Sequence, residues 1–137
     1  MSVTTSYTFG TTVPMAVAQA RPIVEAALKA EGFGVLTEID VAATMKAKLG
    51  VDGLPYLILG ACNPPLAHQA LTIAPSIGLL LPCNVVVRTL ADGRTLVEAM
   101  NPDVMVAATG DVNLAAVAAE ARERLVAALD ALSKVSA

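Results

Sequence analysis

The chain of 137 residues has no tryptophan, two tyrosines, two phenylalanines, one histidine and two cysteines. It has no run of Lys or Arg, and its formal net charge is −3. Nucleic-acid binding rests on a basic stripe, and single-strand binding also needs stacking aromatics. Both are missing, so no nucleic-acid partner is expected. Long hydrophobic runs are missing too. A membrane span needs about 20 consecutive apolar residues. The best stretch, residues 73–87, is broken by Pro75, Pro82 and Asn84, and the apolar C-terminal segment carries Glu120, Arg122, Glu123 and Arg124. The N-terminus has no basic region leading into an apolar block, so no signal peptide is expected. These absences lead us to expect a cytoplasmic protein with no membrane partner, whose two thiols are reduced.

Several chemical signatures are absent as well. The sequence holds no GxxxxGK[ST] phosphate loop, no GxSxG elbow, no HExxH and no CxxC. Gly32-Phe33-Gly34 lacks the third glycine of a dinucleotide fingerprint and precedes an expected strand rather than a helix.

What remains is aliphatic. There are 26 Ala, 17 Val and 17 Leu, and hydrophobic residues make up 55% of the chain, which excludes disorder. A chain of this length folds as one domain, here 1–137, and buries roughly two-thirds of its unfolded surface without needing staples. Its excess of apolar residues, some of them on elements that one subunit cannot fully cover, leads us to expect a homodimer.

Periodicity supplies the elements. Residues 3–9 are rich in Thr, Val and aromatics and read as a strand. Thr11 or Thr12 is the expected cap of a helix with Val17, Ala20, Val24 and Leu28 on one face. Pro22 either kinks that helix or marks the start of its regular part. Residues 35–39 form a short strand, and Asp40 caps a helix over 41–49 that Gly50 closes. Residues 54–61 are nearly all apolar, as a buried strand is. Asn63 followed by Pro64 starts a short helix to about Leu71. After a loop over 72–78, a strand over 79–90 is interrupted near Pro82. Asp92-Gly93 signals a two-residue hairpin into a strand over 95–100. A helical turn is expected over 104–108. In the last helix, Leu114, Ala118, Ala121, Leu125, Ala128 and Leu132 form one stripe, behind an Asp111 or Asn113 cap. The order βαβαβα, β-hairpin, α predicts an α/β to α+β two-layer domain, with a mixed sheet covered by helices.

The candidate site lies in two Cys-Asn segments. Cys62 ends the apolar strand just before a helix start, where the positive helix end favours thiolate. Cys83 sits between Pro82 and Asn84. Two thiols with His68 and Glu38 would supply a soft or borderline metal site or a redox-sensitive pair. Their spacing matches no zinc pattern, and the competing reading is that both cysteines are small core residues. His68 is the side chain with an unperturbed pKa nearest neutrality. It also fits an exposed helix position. Glu38 and Asp40, two apart on a strand, would point the same way and offer an acid and a base. The favoured reading is one solvated carboxylate and one helix cap.

Four segments together carry a resemblance. Gly32-Phe33-Gly34-Val35, Glu38-Ile39-Asp40, residues 56–64 (YLILGACNP) and residues 78–87 (GLLLPCNVVV) resemble the bacterial and archaeal family known as domain of unknown function 302. The likeness runs from about residue 13 to 132. It implies a compact α/β domain with a mixed sheet, a homodimer and no established activity or cofactor. By motif it singles out Glu38, Cys62, Asn63, Pro64, Pro82, Cys83 and Asn84. It implies an aromatic or histidine at position 68, which argues against a ligand role for His68.

Three functions follow as expectations. The first is a dimeric module binding a small molecule, a metal or a sulfur species, with Cys62, Asn63, Cys83 and Asn84 around one pocket and Cys62 and Cys83 as metal ligands. The second is a thiol-dependent enzyme, with Cys62 as nucleophile and His68 or Glu38 as base. The third is a structural or interaction protein with no small-molecule site.

Overall fold

The computed structural model of the protein describes residues 2–136. Six strands form one sheet: β1 (Ser2–Thr4), β2 (Thr8–Val13), β3 (Gly34–Asp40), β4 (Tyr56–Cys62), β5 (Cys83–Thr89) and β6 (Thr95–Met100). Their spatial order is β1-β2-β6-β5-β4-β3. The helices are α1 (Val17–Ala30), α2 (Val41–Leu49), α3 (Pro64–Ile73), α4 (Asp103–Thr109) and α5 (Ala115–Ser133), with 3-10 segments at Pro75–Leu80 and Val112–Leu114. The result is a single two-layer α+β domain. Among the described residues no helix is long and apolar enough to cross a membrane.

The sheet is antiparallel throughout rather than mixed. The reason lies in where the helical connections return. Asp40 pairs with Leu57, and Ala61 pairs with Cys83. Each strand therefore starts beside the end of the one before it. α2 at one end of the sheet, and α3 with the 3-10 segment after it at the other, are excursions, not crossovers. Helix α1 alone crosses, linking β2 to β3. Those two strands run the same way but are separated by β6, β5 and β4, so no parallel pair forms.

The core lies between the sheet and α1, α3 and α5. Both expected helical stripes are buried: Val17, Ala20, Val24 and Leu28 on α1, and Leu114, Ala118, Ala121, Leu125, Ala128 and Leu132 at and along α5. Pro22 stands inside α1 without ending it. Its missing N–H leaves the Ala18 carbonyl without a helical partner, but Ala18 and Pro22 are both exposed, which leaves that oxygen open to solvent. Helix α1 ends in a Schellman motif. Phe33 N–H donates to Leu28 O and Gly32 N–H donates to Lys29 O, with Gly32 at φ 85°. Asp40 caps α2 by accepting the Ala43 N–H at 2.9 Å, and Gly50 closes it in the left-handed conformation.

Other boundaries differ from the sequence reading. The first strand is two, 2–4 and 8–13, because the chain turns at 5–7. There Thr5 Oγ1 accepts the Tyr7 and Thr8 N–H groups. Thr11 and Thr12 consequently lie in β2, and α1 begins at Val17 with Ala16 before it and no side-chain cap. Helix α3 runs on to Ile73, and the expected loop after it coils into the 3-10 segment 75–80. The next strand starts only at Cys83, since Pro82 has no N–H for the ladder. The hairpin at Asp92-Gly93 is longer than two residues. Leu90 O accepts from Gly93 N–H, Leu90 N–H donates to Arg94 O, and Gly93 sits at φ 89°. This is a three-residue loop closed by a left-handed glycine.

Candidate functional site

Alternation along β4 and β5 sets the two faces of the sheet. Leu59, Ala61, Cys83, Val85 and Val87 are buried, whereas Asn84 is exposed and Arg88 is half-buried and paired with Glu98 at 3.2 Å. At the end of these strands the helical layer leaves a cavity of about 300 Å³. The strand ends contribute Ala61, Cys62, Pro82 and Cys83. Helix α3 contributes Leu66, Ala67, Ala70 and Leu71, and α4 and α5 add Met105, Val117 and Ala121. Phe33 and Leu36 complete the wall beside β3. The lining is almost entirely aliphatic, and no charged side chain borders it.

Leu36 reaches the cavity because β3 is irregular there. The pairing jumps from Val35 with Ala61 to Thr37 with Gly60, leaving Leu36 as an extra, bulged residue. Gly60 is required at this point. A Cβ on it would run into Thr37 Oγ1 and lie 2.9 Å from Pro82 Cγ. The glycine therefore lets β3 and Pro82 close against β4 at the rim of the cavity.

Both expected cysteines border this one cavity, and both are free thiols. Cys83 pairs with Ala61, so Cys62 stands one residue past the position opposite Cys83. In a regular ladder that offset turns successive side chains to opposite faces, which is not the arrangement of a cross-strand disulfide. Cys83 is buried, and burial, helped by the nearby Cys62, pushes its pKa up to about 11. It is a neutral thiol at physiological pH. Cys62 is half-buried.

Asn63 also borders the cavity, but its amide is committed to the scaffold. Its Oδ1 accepts the Leu66 N–H at 3.3 Å, capping α3 as the sequence indicated. Its Nδ2 packs over Gly32, where a Cβ would lie only 2.9 Å away. The close of α1 and the start of α3 are thus fitted together beneath the cavity.

The remaining sequence candidates stand elsewhere. Asn84 is exposed on the far face of the sheet. His68 is exposed on the outer side of α3, and only its backbone is engaged, accepting from Thr72 Oγ1 at 2.8 Å. Glu38 accepts from Arg21 Nε at 2.6 Å, and Arg21 also bonds Glu25 at 2.6 Å. That ion-pair triad ties β3 to α1 and accounts for the raised pKa of Arg21, to which its hydrogen bond to Glu38 contributes most. Asp40 is the cap of α2. Neither His68 nor Glu38 borders the cavity. Among the described residues no three His, Cys, Asp or Glu side chains gather into a metal-holding group. The four-residue set suggested by the sequence is therefore not assembled.

The apolar wall from α3, α4 and α5 was not singled out in the sequence. Leu66, Ala70, Met105 and Ala121 repeat at ordinary core spacing, and a residue lining a void has the same local pattern as one filling it. The bulge at Leu36 has no glycine or proline of its own to announce it.

Comparison with known proteins agrees with the fold. The sequence pattern of the domain of unknown function DUF302 matches residues 9–132. The crystal structure of an uncharacterized conserved DUF302 protein from Bacillus stearothermophilus is similar, with a TM-score of 0.84 and 32% sequence identity. The likeness covers 92% of this chain and 98% of that one. The comparison with curated proteins finds no match. A pattern spanning nearly the whole chain, and a matching fold at this identity, establish that the chain belongs to the DUF302 family.

Proposed function

We propose that this domain is a dimeric small-ligand-binding module whose site is the cavity bordered by Cys62, Asn63 and Cys83. One observation carries the reading: the cavity of about 300 Å³ lies where the two Cys-Asn segments meet. That volume is at the lower end of small-molecule pockets, which are concave, mostly apolar and few per protein. A small molecule is favoured over a metal, since the two thiols have no third ligand beside them among the described residues. That neither His68 nor Glu38 borders the cavity weighs against a Cys62 nucleophile with one of them as its base there. The two free thiols suit the reducing cytoplasm.

Support for a dimer comes from α2 and its flanks. Helix α2 buries no residue, and Met45 and Leu49, four apart on one face, are 44% and 69% exposed. Val51 and Leu54 follow on the same stretch at more than half exposure. Apolar surface concentrated in this way marks a contact region.

The reading is tested by fragment screening with amide NMR. Binders are expected to move the signals of Cys62, Cys83 and the α3 residues 66–71. Binders that cluster elsewhere, or a complete lack of binders, would overturn it. Native mass spectrometry of the same sample is expected to give twice the 14.0 kDa chain mass. A monomer at every concentration would remove the dimer from the proposal.

A further inference from the structure

The chemistry of the cavity wall narrows the ligand class. We infer that the cavity takes a neutral, largely apolar molecule of about a dozen non-hydrogen atoms, a hydrocarbon chain or ring whose polar end stays at the mouth. The inference rests on the reading of this cavity as the binding site. The size follows from a comparison: a closed cavity of about 150 Å³ holds one benzene, and this one is twice as large.

The polarity follows from the lining. No charged side chain borders the space, so an ionised group inside would lose its hydration without a counter-charge. The polar side chains present are two thiols, which are weak donors, and Asn63. The Asn63 oxygen is already occupied by the Leu66 N–H, and its nitrogen is packed over Gly32. Little is left to satisfy a sugar, a nucleotide or a phosphate. The mouth continues the apolar wall to the surface. Leu36 and Leu71 both border the cavity and are 67% and 40% exposed. The bulge in β3 brings Leu36 to that position, and α3 brings Leu71. A chain seated between them removes both from water, which an entirely polar ligand would not do.

The test compares a matched pair of probes on the full chain: 1-decanol, and decanoate at pH 8, with Zn²⁺ as a third arm. Binding is read by titration calorimetry and by the rise in Tm with ligand concentration. Decanol is expected to bind at least about tenfold more tightly than decanoate, and Zn²⁺ to give no shift. Ala67→Phe, which fills the wall on α3, is expected to weaken decanol binding at least about tenfold while unfolding remains cooperative without ligand. Should that variant fail to fold, Ala67→Leu is measured in the same way. Decanoate or Zn²⁺ binding as well as decanol, with both lost in the Ala67 variant, would overturn the ligand class and leave the cavity as the site. Binding of every probe unchanged in a folded Ala67 variant would overturn the site itself.

Discussion

Strands β6 and β3 belong to one sheet and differ little in length, yet their surroundings are opposite. In β6, Thr95, Leu96, Val97 and Ala99 are buried. In β3 every residue is exposed except Val35, which is partly buried, although Leu36 and Ile39 are as apolar as anything in β6. The difference comes from position in the sheet, since β6 lies between β2 and β5 and β3 is an edge, and from what lies above each strand. Helices α1 and α5 pack on β2, β6 and β5 with their stripes buried, and only Ala121 of the α5 stripe borders the cavity. Toward β4 and β3, α2 buries nothing, α3 borders the cavity, and α1 reaches β3 through the Arg21–Glu38 ion pair. One side of the domain is closely covered, and the other holds the cavity and the exposed apolar residues.

That division is open to direct attack. The largest effect is expected from Leu125→Ala, at a fully buried position in the α5 stripe. Loss of buried methyl groups and the hole left behind should cost about 4 kcal/mol in denaturant unfolding. A cost below about 1 kcal/mol, in the range of exposed sites, would break the comparison.

The next effect sits on the boundary between the two sides. The Cys83 thiol ionises near 9.0 when unfolded and at about 11 when folded. Folding thus favours the protonated form. The contribution is intact below pH 9 and is lost as pH rises from 9 to 11, amounting to about 3 kcal/mol. Unfolding curves of wild type and Cys83→Ala across this range isolate it from other groups. Wild type should lose stability more steeply, and identical slopes would place Cys83 in an environment as open as solvent.

The smallest effect on folding is expected from Leu49→Ser on α2, where the side chain is 69% exposed. Stability of the subunit should change by no more than about 0.5 kcal/mol, while sedimentation shows weaker self-association. A large loss of subunit stability would mean that α2 belongs to the sealed side after all.

How much of this was legible in the sequence depended on whether a feature is written locally. Asp40 and Gly50 bracket α2 because capping is chemistry between neighbours, and the α5 stripe is periodic over five turns. Asn63 reads as a cap for the same reason. The run 73–81 does not reveal its 3-10 segment, since Ile73, Ile77, Leu79, Leu80 and Leu81 follow no single period. Strand direction is not written in the sequence, because a helix between two strands looks alike whether it crosses the sheet or returns to the end it left. The pairing of Ala61 with Cys83 decides between them, and it joins residues far apart in the chain. The two Cys-Asn segments meet at the cavity through Cys62, Asn63 and Cys83, but not through Asn84. The parity of a strand that begins at Cys83 puts Asn84 on the opposite face, and the start of that strand is set by Pro82.

The bulge at Leu36 has a bearing on solubility. Strand β3 is an edge of the sheet, seven residues long, with backbone groups free to recruit another extended chain. An uninterrupted edge of that length, with Val35, Leu36 and Ile39 on it, would be a template for open-ended strand addition. The extra residue interrupts the even spacing of hydrogen-bonding groups, and Glu38 sets a charge in the middle of the edge. An incoming strand would match the ladder on one side of Leu36 and miss it on the other. The irregularity that carries a leucine to the mouth of the cavity thereby also guards the domain against edge-to-edge aggregation.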